Sequence, residues 1–282
     1  MTPPARRPLS RPAPVLAVAD TNQWMRSEAL NQWNALADRE GQSIYEIELF
    51  TFLSIENRST IADWCYKVAD CLVIERRVVS IAFSHFDRYL SHHEENKNDC
   101  WLVILACLQL AIKLHSNKNE TSLRPILLNL RTICRFSERQ VAEKELYICE
   151  DLQWYLNPPV PAMYLEVATP LIDAIINKEN VSITKAMTHD IVELSRFLME
   201  LGVYDLRLSG ERPSSVAYAA ILVAMNHLHI PTRTVNKWLS LTLNHSSYKT
   251  DRCIQWLQRI LTAIHGRTSL CSSPTNVGGN FV

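Results

Sequence analysis

Glycine is the residue that most restricts this chain. Only six occur in 282 residues, and none lies between Gly41 and Gly202, against an average usage of about 7%. A stretch of that length without glycine has nowhere to place a phosphate-cradling loop, because such loops need positive φ or close backbone approach. Dinucleotide-binding motifs, Walker-type motifs and the G-x-S-x-G elbow are disfavoured on the same ground. Four glycines, Gly41, Gly202, Gly210 and Gly266, fall between periodic segments, and the other two lie in the terminal tail. They punctuate helices rather than build turns within sheets. The expectation is an all-α chain. Its 47% apolar content is enough to bury a sizeable core, and its 29 basic and 29 acidic side chains exert no broad pull on phosphate. Binding is expected in preference to catalysis, so the chain reads as no enzyme.

The longest apolar-rich run, Trp101 to Ile112, is interrupted by Gln109 and falls short of the roughly 20 residues that cross a bilayer. It reads as a buried helix, with no membrane partner. Five prolines in the first fourteen residues suit an extended arm and not a signal peptide, so the nucleus or cytoplasm is expected. The eight cysteines include no C-x-x-C pair and mostly sit in apolar helical patterns, which points to reduced, buried thiols without metal or cofactor. His92-His93-Glu94-Glu95 lacks metal-ligand spacing and reads as a solvated turn.

Periodicity divides the chain. Residues 1–20 read as a disordered proline-rich arm. Residues 21–56 form an N-terminal helical segment, with Trp24, Leu30, Trp33 and Leu36 spaced for an amphipathic helix over 21–39 and a shorter pattern over 44–55. Five helices are predicted at 59–73, 75–92, 99–115, 122–132 and 138–155, making a unit over 57–157. Five more at 161–177, 183–201, 213–228, 232–243 and 248–265 make a second over 158–266, followed by a disordered tail, 267–282. Ser137 and Gln140 have the spacing of a capping box. Pro158-Pro159 marks the boundary, and Pro161, Pro213 and Pro231 each fall where a first helical residue is expected.

The informative residues are charges inside apolar stripes. Val79, Phe83, Asp87 and Leu90 share one helical face, so the Asp87 carboxylate turns inward and needs a cation; Arg58 can supply a bidentate fork. Glu145 interrupts the stripe Val141, Ile148, Leu152, and Lys113 stands between Leu110 and Leu114. Either these two neutralise each other at a helix crossing, or they rim an apolar surface kept for a partner.

The segments R-S-T-I-A-D-W (58–64), F-D-R-Y-L-S (86–91), L-Q-L-A-I-K-L (108–114) and L-Q-W-Y-L (152–156) resemble the cyclin box. Arg58, Asp87, Leu102, Lys113 and Glu145 match that family's recurring Arg, Asp, Leu, Lys and Glu in order and interval. Residues 211–225 are similar to the start of the third helix of its C-terminal box, so the resemblance covers about 20 to 265. It implies two consecutive five-helix cyclin-box domains preceded by an N-terminal helix. It also implies a heterodimer in which the chain activates a cyclin-dependent Ser/Thr protein kinase, in control of the cell cycle. Lys113 and Glu145 then contact the approach to the kinase αC helix, Leu110, Leu114, Leu146, Cys149 and Trp154 take apolar kinase-facing positions, and the N-terminal helix leans on the kinase as well.

The resemblance weakens at the family's substrate-docking patch. Ile61 and Trp64 remain, but Asn57 and Thr60 replace apolar residues, and Lys67 stands where an acid usually engages the arginine of R-x-L motifs. Weak or absent R-x-L docking is expected. The rival readings are a cyclin-fold transcription factor of the TFIIB type and a helical scaffold without a kinase. Balanced charge argues against the first, and no nucleic acid is expected as a partner.

Overall fold

The computed structural model describes residues 16–40, 55–93, 97–116, 120–178, 185–231, 233–235 and 247–271, and all regular structure among them is helical. The helices are α1 (Leu16–Glu40), α2 (Ile55–Cys71), α3 (Arg77–Leu90), α4 (Lys97–His115), α5 (Glu120–Cys134), α6 (Glu138–Asp151), α7 (Pro161–Lys178), α8 (Lys185–Tyr204), the single turn α9 (Leu206–Ser209), α10 (Pro213–His227) and α11 (Ser247–Cys271). No helix among the described residues is long and apolar enough to cross a membrane.

Two hydrophobic clusters organise these helices, each around one helix that is apolar on every side. In the first, residues 103 to 112 of α4 are all buried and α3, α5 and α6 pack around them. In the second, α10 is buried from Ser214 to Met225. Its alanines 217, 219, 220 and 224 let α7, α8 and α11 approach closely. Burial all round is what an unstriped apolar helix requires.

Helix α1 belongs to the second cluster. Ala29 and Trp33 are buried there, and Trp33 meets Tyr164 of α7 edge-on at 4.8 Å. The buried Glu40 carboxylate ends α1 by accepting bonds from the Ser214 N–H and hydroxyl at the start of α10. This replaces the missing cap of a helix whose own N-cap, Arg212, offers none. Burial, opposed by those bonds, raises the Glu40 pKa.

The capping box forms as spaced: the Gln140 N–H donates to Ser137 Oγ at 3.2 Å and the Ser137 N–H to Gln140 Oε1 at 2.9 Å. Pro161 and Pro213 open α7 and α10. Other bounds differ from expectation. Helix α1 begins at Leu16, inside the stretch assigned to the arm, because the prolines stop at Pro14 and a run of helix formers follows. Gly202 lies inside α8 and Gly266 inside α11; a glycine weakens a helix without having to end it. Helix α6 stops at Asp151, four residues early. Of the helix expected over 232–243, residues 233–235 are helical and the rest lies outside the described residues, as do 1–15, 272–282 and the 44–55 pattern up to its last residue, Ile55, which opens α2.

Candidate partner-binding face

Asp87 does turn inward, and its partner is Arg58. The guanidinium donates from Nη1 to Oδ1 at 2.6 Å and from Nη2 to Oδ2 at 2.9 Å, with both residues 1% exposed. Its Nε donates to the Val203 carbonyl at 2.8 Å, and the Phe83 ring lies 4.9 Å beneath it. One side chain thus ties α2 and α3 to the end of α8, whose Val203 packs in the first cluster. The arrangement is closed to solvent, which makes it a clamp and not a contact surface.

Lys113 and Glu145 meet at the crossing of α4 and α6. The ammonium donates to both carboxylate oxygens, at 2.7 and 2.6 Å, and the side chains are 35% and 11% exposed. The charges therefore neutralise each other, the first of the two alternatives, and exposed apolar side chains flank them. Leu114 beside the lysine is 53% exposed, Leu146 beside the glutamate 52%, and Trp154 beyond the end of α6 is 64% exposed. Leu110 and Cys149 correct the expectation. Both are buried in the first cluster, because α4 is enclosed around Leu110 and Cys149 falls on the inward side of α6. They support the face from beneath and add no area to it. Tyr147, also exposed, was missed; the signal was present, since Leu146 and Tyr147 stand off the buried stripe of α6.

Trp154 is held outward by an unusual chain reversal. Gln153 and Trp154 adopt φ of 52° and 60°, and the Trp154 N–H donates back to the Cys149 carbonyl at 2.8 Å. This helix-ending geometry usually falls to glycine. The next three carbonyls are each taken by a side chain from elsewhere. Arg88 Nη1 donates to Tyr155 O at 2.8 Å. His85 and His115 both donate through Nε2 to Leu156 O, at 3.0 and 3.2 Å, and Arg39 of α1 donates to Asn157 O. Burial pushes the His85 pKa down to about 3, a shift that its bond to Leu156 opposes and Arg88 and His115 reinforce, so this imidazole is neutral.

Ile61 of the residual docking patch is buried in the first cluster, while Trp64 is half-buried and meets Trp101 edge-on at 5.7 Å. Lys67 is exposed beside them. His92 and His93 are not a free solvated turn: both approach Asp151, at 3.4 and 2.8 Å, and His93 stacks on Tyr89. Among the described residues no group of three metal-ligating side chains gathers. Five of the seven described cysteines are buried thiols, whereas Cys71 is exposed and Cys134 intermediate.

The model of the cyclin N-terminal domain matches residues 36–157, and that of the cyclin C-terminal domain matches residues 179–274. Over 169 residues the chain is 25% identical to G2/mitotic-specific cyclin-B2 of Oryzias luzonensis, covering 59% of this chain and 39% of that protein. Over 215 residues it is 24% identical to cyclin-D1-2 of Oryza sativa subsp. japonica, covering 73% and 56%. The chain thus spans 39% and 56% of the lengths of these two relatives. The crystal structure of a viral cyclin from herpesvirus saimiri superimposes with a TM-score of 0.64 at 17% identity, over 80% of this chain and 95% of that one. At that identity the likeness is one of fold.

Proposed function

The chain belongs to the cyclin family, and we propose that it is the regulatory subunit of a cyclin-dependent Ser/Thr protein kinase, acting in the cell cycle through that kinase and without catalytic groups of its own. The observation that carries this reading is the apolar face of Leu114, Leu146 and Trp154 around the closed Lys113–Glu145 pair. The mitotic name of one relative supports the cell-cycle part. The reading implies work in the nucleus or cytoplasm.

An active kinase needs its αC glutamate paired with the β3 lysine, and a partner that binds only that arrangement shifts the population toward it. Moving from about 1:99 to 99:1 takes roughly 5.5 kcal/mol of differential binding. A tryptophan buries about 150–250 Å², so the exposed 64% of Trp154 supplies on the order of 2.5–4 kcal/mol at roughly 25 cal/mol/Å². The half-exposed leucines add about 1 kcal/mol each. The sum is of the required order when that area is buried only against the active arrangement. The ion pair contributes direction: opened, Lys113 donates to a backbone carbonyl of the partner and Glu145 accepts from an N–H.

The test is isolation of the tagged chain from its own cells, with identification of the bound kinase and assay on a Ser/Thr peptide. Leu114→Ala, Leu146→Ala and Trp154→Ala together should abolish both recovery and activity. A chain that brings down no kinase, or a triple variant equal to wild type, overturns the reading. With Lys67 at the docking patch, R-x-L peptides should not compete with substrate.

A further inference from the structure

A groove runs between the start of α3 and the facing sides of α7 and α8. Ala162, Leu165 and Met199 give it an apolar floor, and its volume of about 310 Å³ reaches the lower end of the roughly 300–1,000 Å³ typical of ligand sites. Its rim is a network of ion pairs. Arg76 is held by Asp70 at 2.7 Å and Glu200 at 2.9 Å, Arg77 by Glu75 at 2.7 Å and Glu166 at 3.0 Å, and Arg196 by Glu193. Five carboxylates thus serve three guanidiniums, an excess of two negative charges. The carboxylate is the more exposed partner in four of the five pairs, most clearly Glu166 at 57% against Arg77 at 28%. The groove therefore offers an incoming segment apolar contact below and surplus negative charge at its mouth.

The complement is carried by the chain itself. Residues 1–15, which precede α1, contain Arg6, Arg7 and Arg11, no acidic residue, and Leu9 among five prolines. Helix α1 packs on α7, with Trp33 against Tyr164, so the arm leaves from a helix that lies on the one carrying Glu166. Leu16 stands about 26 Å of helix before Trp33, at roughly 1.5 Å per residue. Arg6 and Arg7 precede Leu16 by ten and nine residues, about 28–31 Å in an extended proline-rich chain. The arm is thus long enough to double back along α1 and α7 to the groove.

We propose that residues 1–15 fold back on this groove, with Arg6 and Arg7 among the surplus carboxylates and Leu9 over the apolar floor, closing it to any other basic segment. The groove is apart from the face assigned to the kinase, so the proposal stands without that reading. Tethering sets an effective concentration of about 1 mM, so a segment with a Kd of about 100 μM covers the groove about nine-tenths of the time.

The probe is a fluorescein-labelled peptide of residues 1–15. Its anisotropy is followed against the full chain and against a full-length variant with Arg6→Glu, Arg7→Glu and Arg11→Glu, whose own arm no longer competes. The peptide should saturate that variant with a Kd at or below about 100 μM in about 0.05 M salt, and bind at least about fivefold more weakly in about 0.5 M, where exposed charges are screened within a few ångströms. Wild type should bind it about tenfold more weakly than the variant does, because its own arm occupies the groove at about 1 mM effective concentration. Glu166→Lys placed in the variant should weaken the peptide at least about tenfold by removing one surplus charge and adding its opposite, and if that protein does not fold, Glu193→Lys serves instead. No binding to the variant, equal binding to wild type and variant, or an affinity indifferent to salt or to the folded groove substitution overturns the proposal. So does a wild type that sediments as a dimer while the arm variant is a monomer, since the arm would then seat on a second copy.

Discussion

Removing the Asp87 carboxylate should be among the most damaging small changes possible in this chain. Asp87→Ala deletes both acceptor oxygens of a fork that is 1% exposed and leaves the Arg58 guanidinium with the Val203 carbonyl, the Phe83 ring and the field of the Asp205 carboxylate. Breaking a buried pair this way typically costs about 3–5 kcal/mol, because the remaining charge loses its bidentate partner. The surviving carbonyl and ring offset some of that, so about 3 kcal/mol is expected, a large share of a domain stability of roughly 5–15 kcal/mol. The double variant Arg58→Met with Asp87→Leu removes both charges. Its main residual cost is the Val203 carbonyl at the end of α8, about 1–3 kcal/mol if it stays dry, partly returned by the added apolar contact. The double should therefore be less damaging than the single. Urea unfolding followed by far-UV circular dichroism and tryptophan fluorescence gives both values. A single variant costing under about 1 kcal/mol, or a double costing more than the single, would refute the view of Arg58 as a buried cation dependent on Asp87.

Three further outcomes follow from the same structure. His85 stays neutral in the folded chain with a pKa of about 3 and returns to about 6.5 when unfolded. Its contribution is therefore complete above pH 6.5 and falls as the pH drops toward 3, by about 2 kcal/mol at pH 5. His85→Gln, which keeps an N–H donor for Leu156, should flatten that slope in pH-dependent urea unfolding, and identical slopes would count against it. Trp154→Ala alone should weaken the kinase complex by about 2–4 kcal/mol, seen in calorimetry as a dissociation constant at least about 30-fold larger, while leaving Tm nearly unchanged. Glu40→Ala removes the cap of α10 and should cost about 1–2 kcal/mol, with earlier proteolytic cleavage near the end of α1 as the local readout.

What the sequence revealed, and what it hid, divides along one physical line. Features set by neighbours in the chain were readable: the 3.6-residue stripes, the Ser137 box, and prolines at first helical positions. The inward charges were readable too, since Asp87 and Glu145 each break an apolar stripe within a single helix. Features set by distant residues were not. The stop of α6 has no glycine or proline at 152–154 to announce it; Arg39, Arg88, His85 and His115 impose it through carbonyls of 155–157. The cap of α10 comes from 174 residues away. Leu110 and Cys149 were assigned to the surface by resemblance, whereas the packing of α4 and α6 decides their burial.

That distant control of the α6 terminus bears on why the face can bind. Gln153 and Trp154 both occupy the left-handed region, which costs a non-glycine residue about 1–2 kcal/mol, so the reversal would not persist without the bonds that clasp 155–157. Because those bonds come from α1, α3 and α4, they fix Trp154 against the same framework that carries Lys113 and Leu114. A side chain already fixed loses little further freedom on binding, and about 0.5–1.5 kcal/mol per ordered side chain is spared. Gln153→Gly separates the two effects, since it relieves the left-handed cost at an exposed position without removing any contact of Trp154. Relief should outweigh the added chain entropy and raise stability by about 0.5–1 kcal/mol. The looser reversal should at the same time weaken the kinase complex, chiefly through faster dissociation. If Gln153→Gly instead lowers stability, the strain is not there; if it stabilises and binding is unchanged, the clasp orders the chain but not the face.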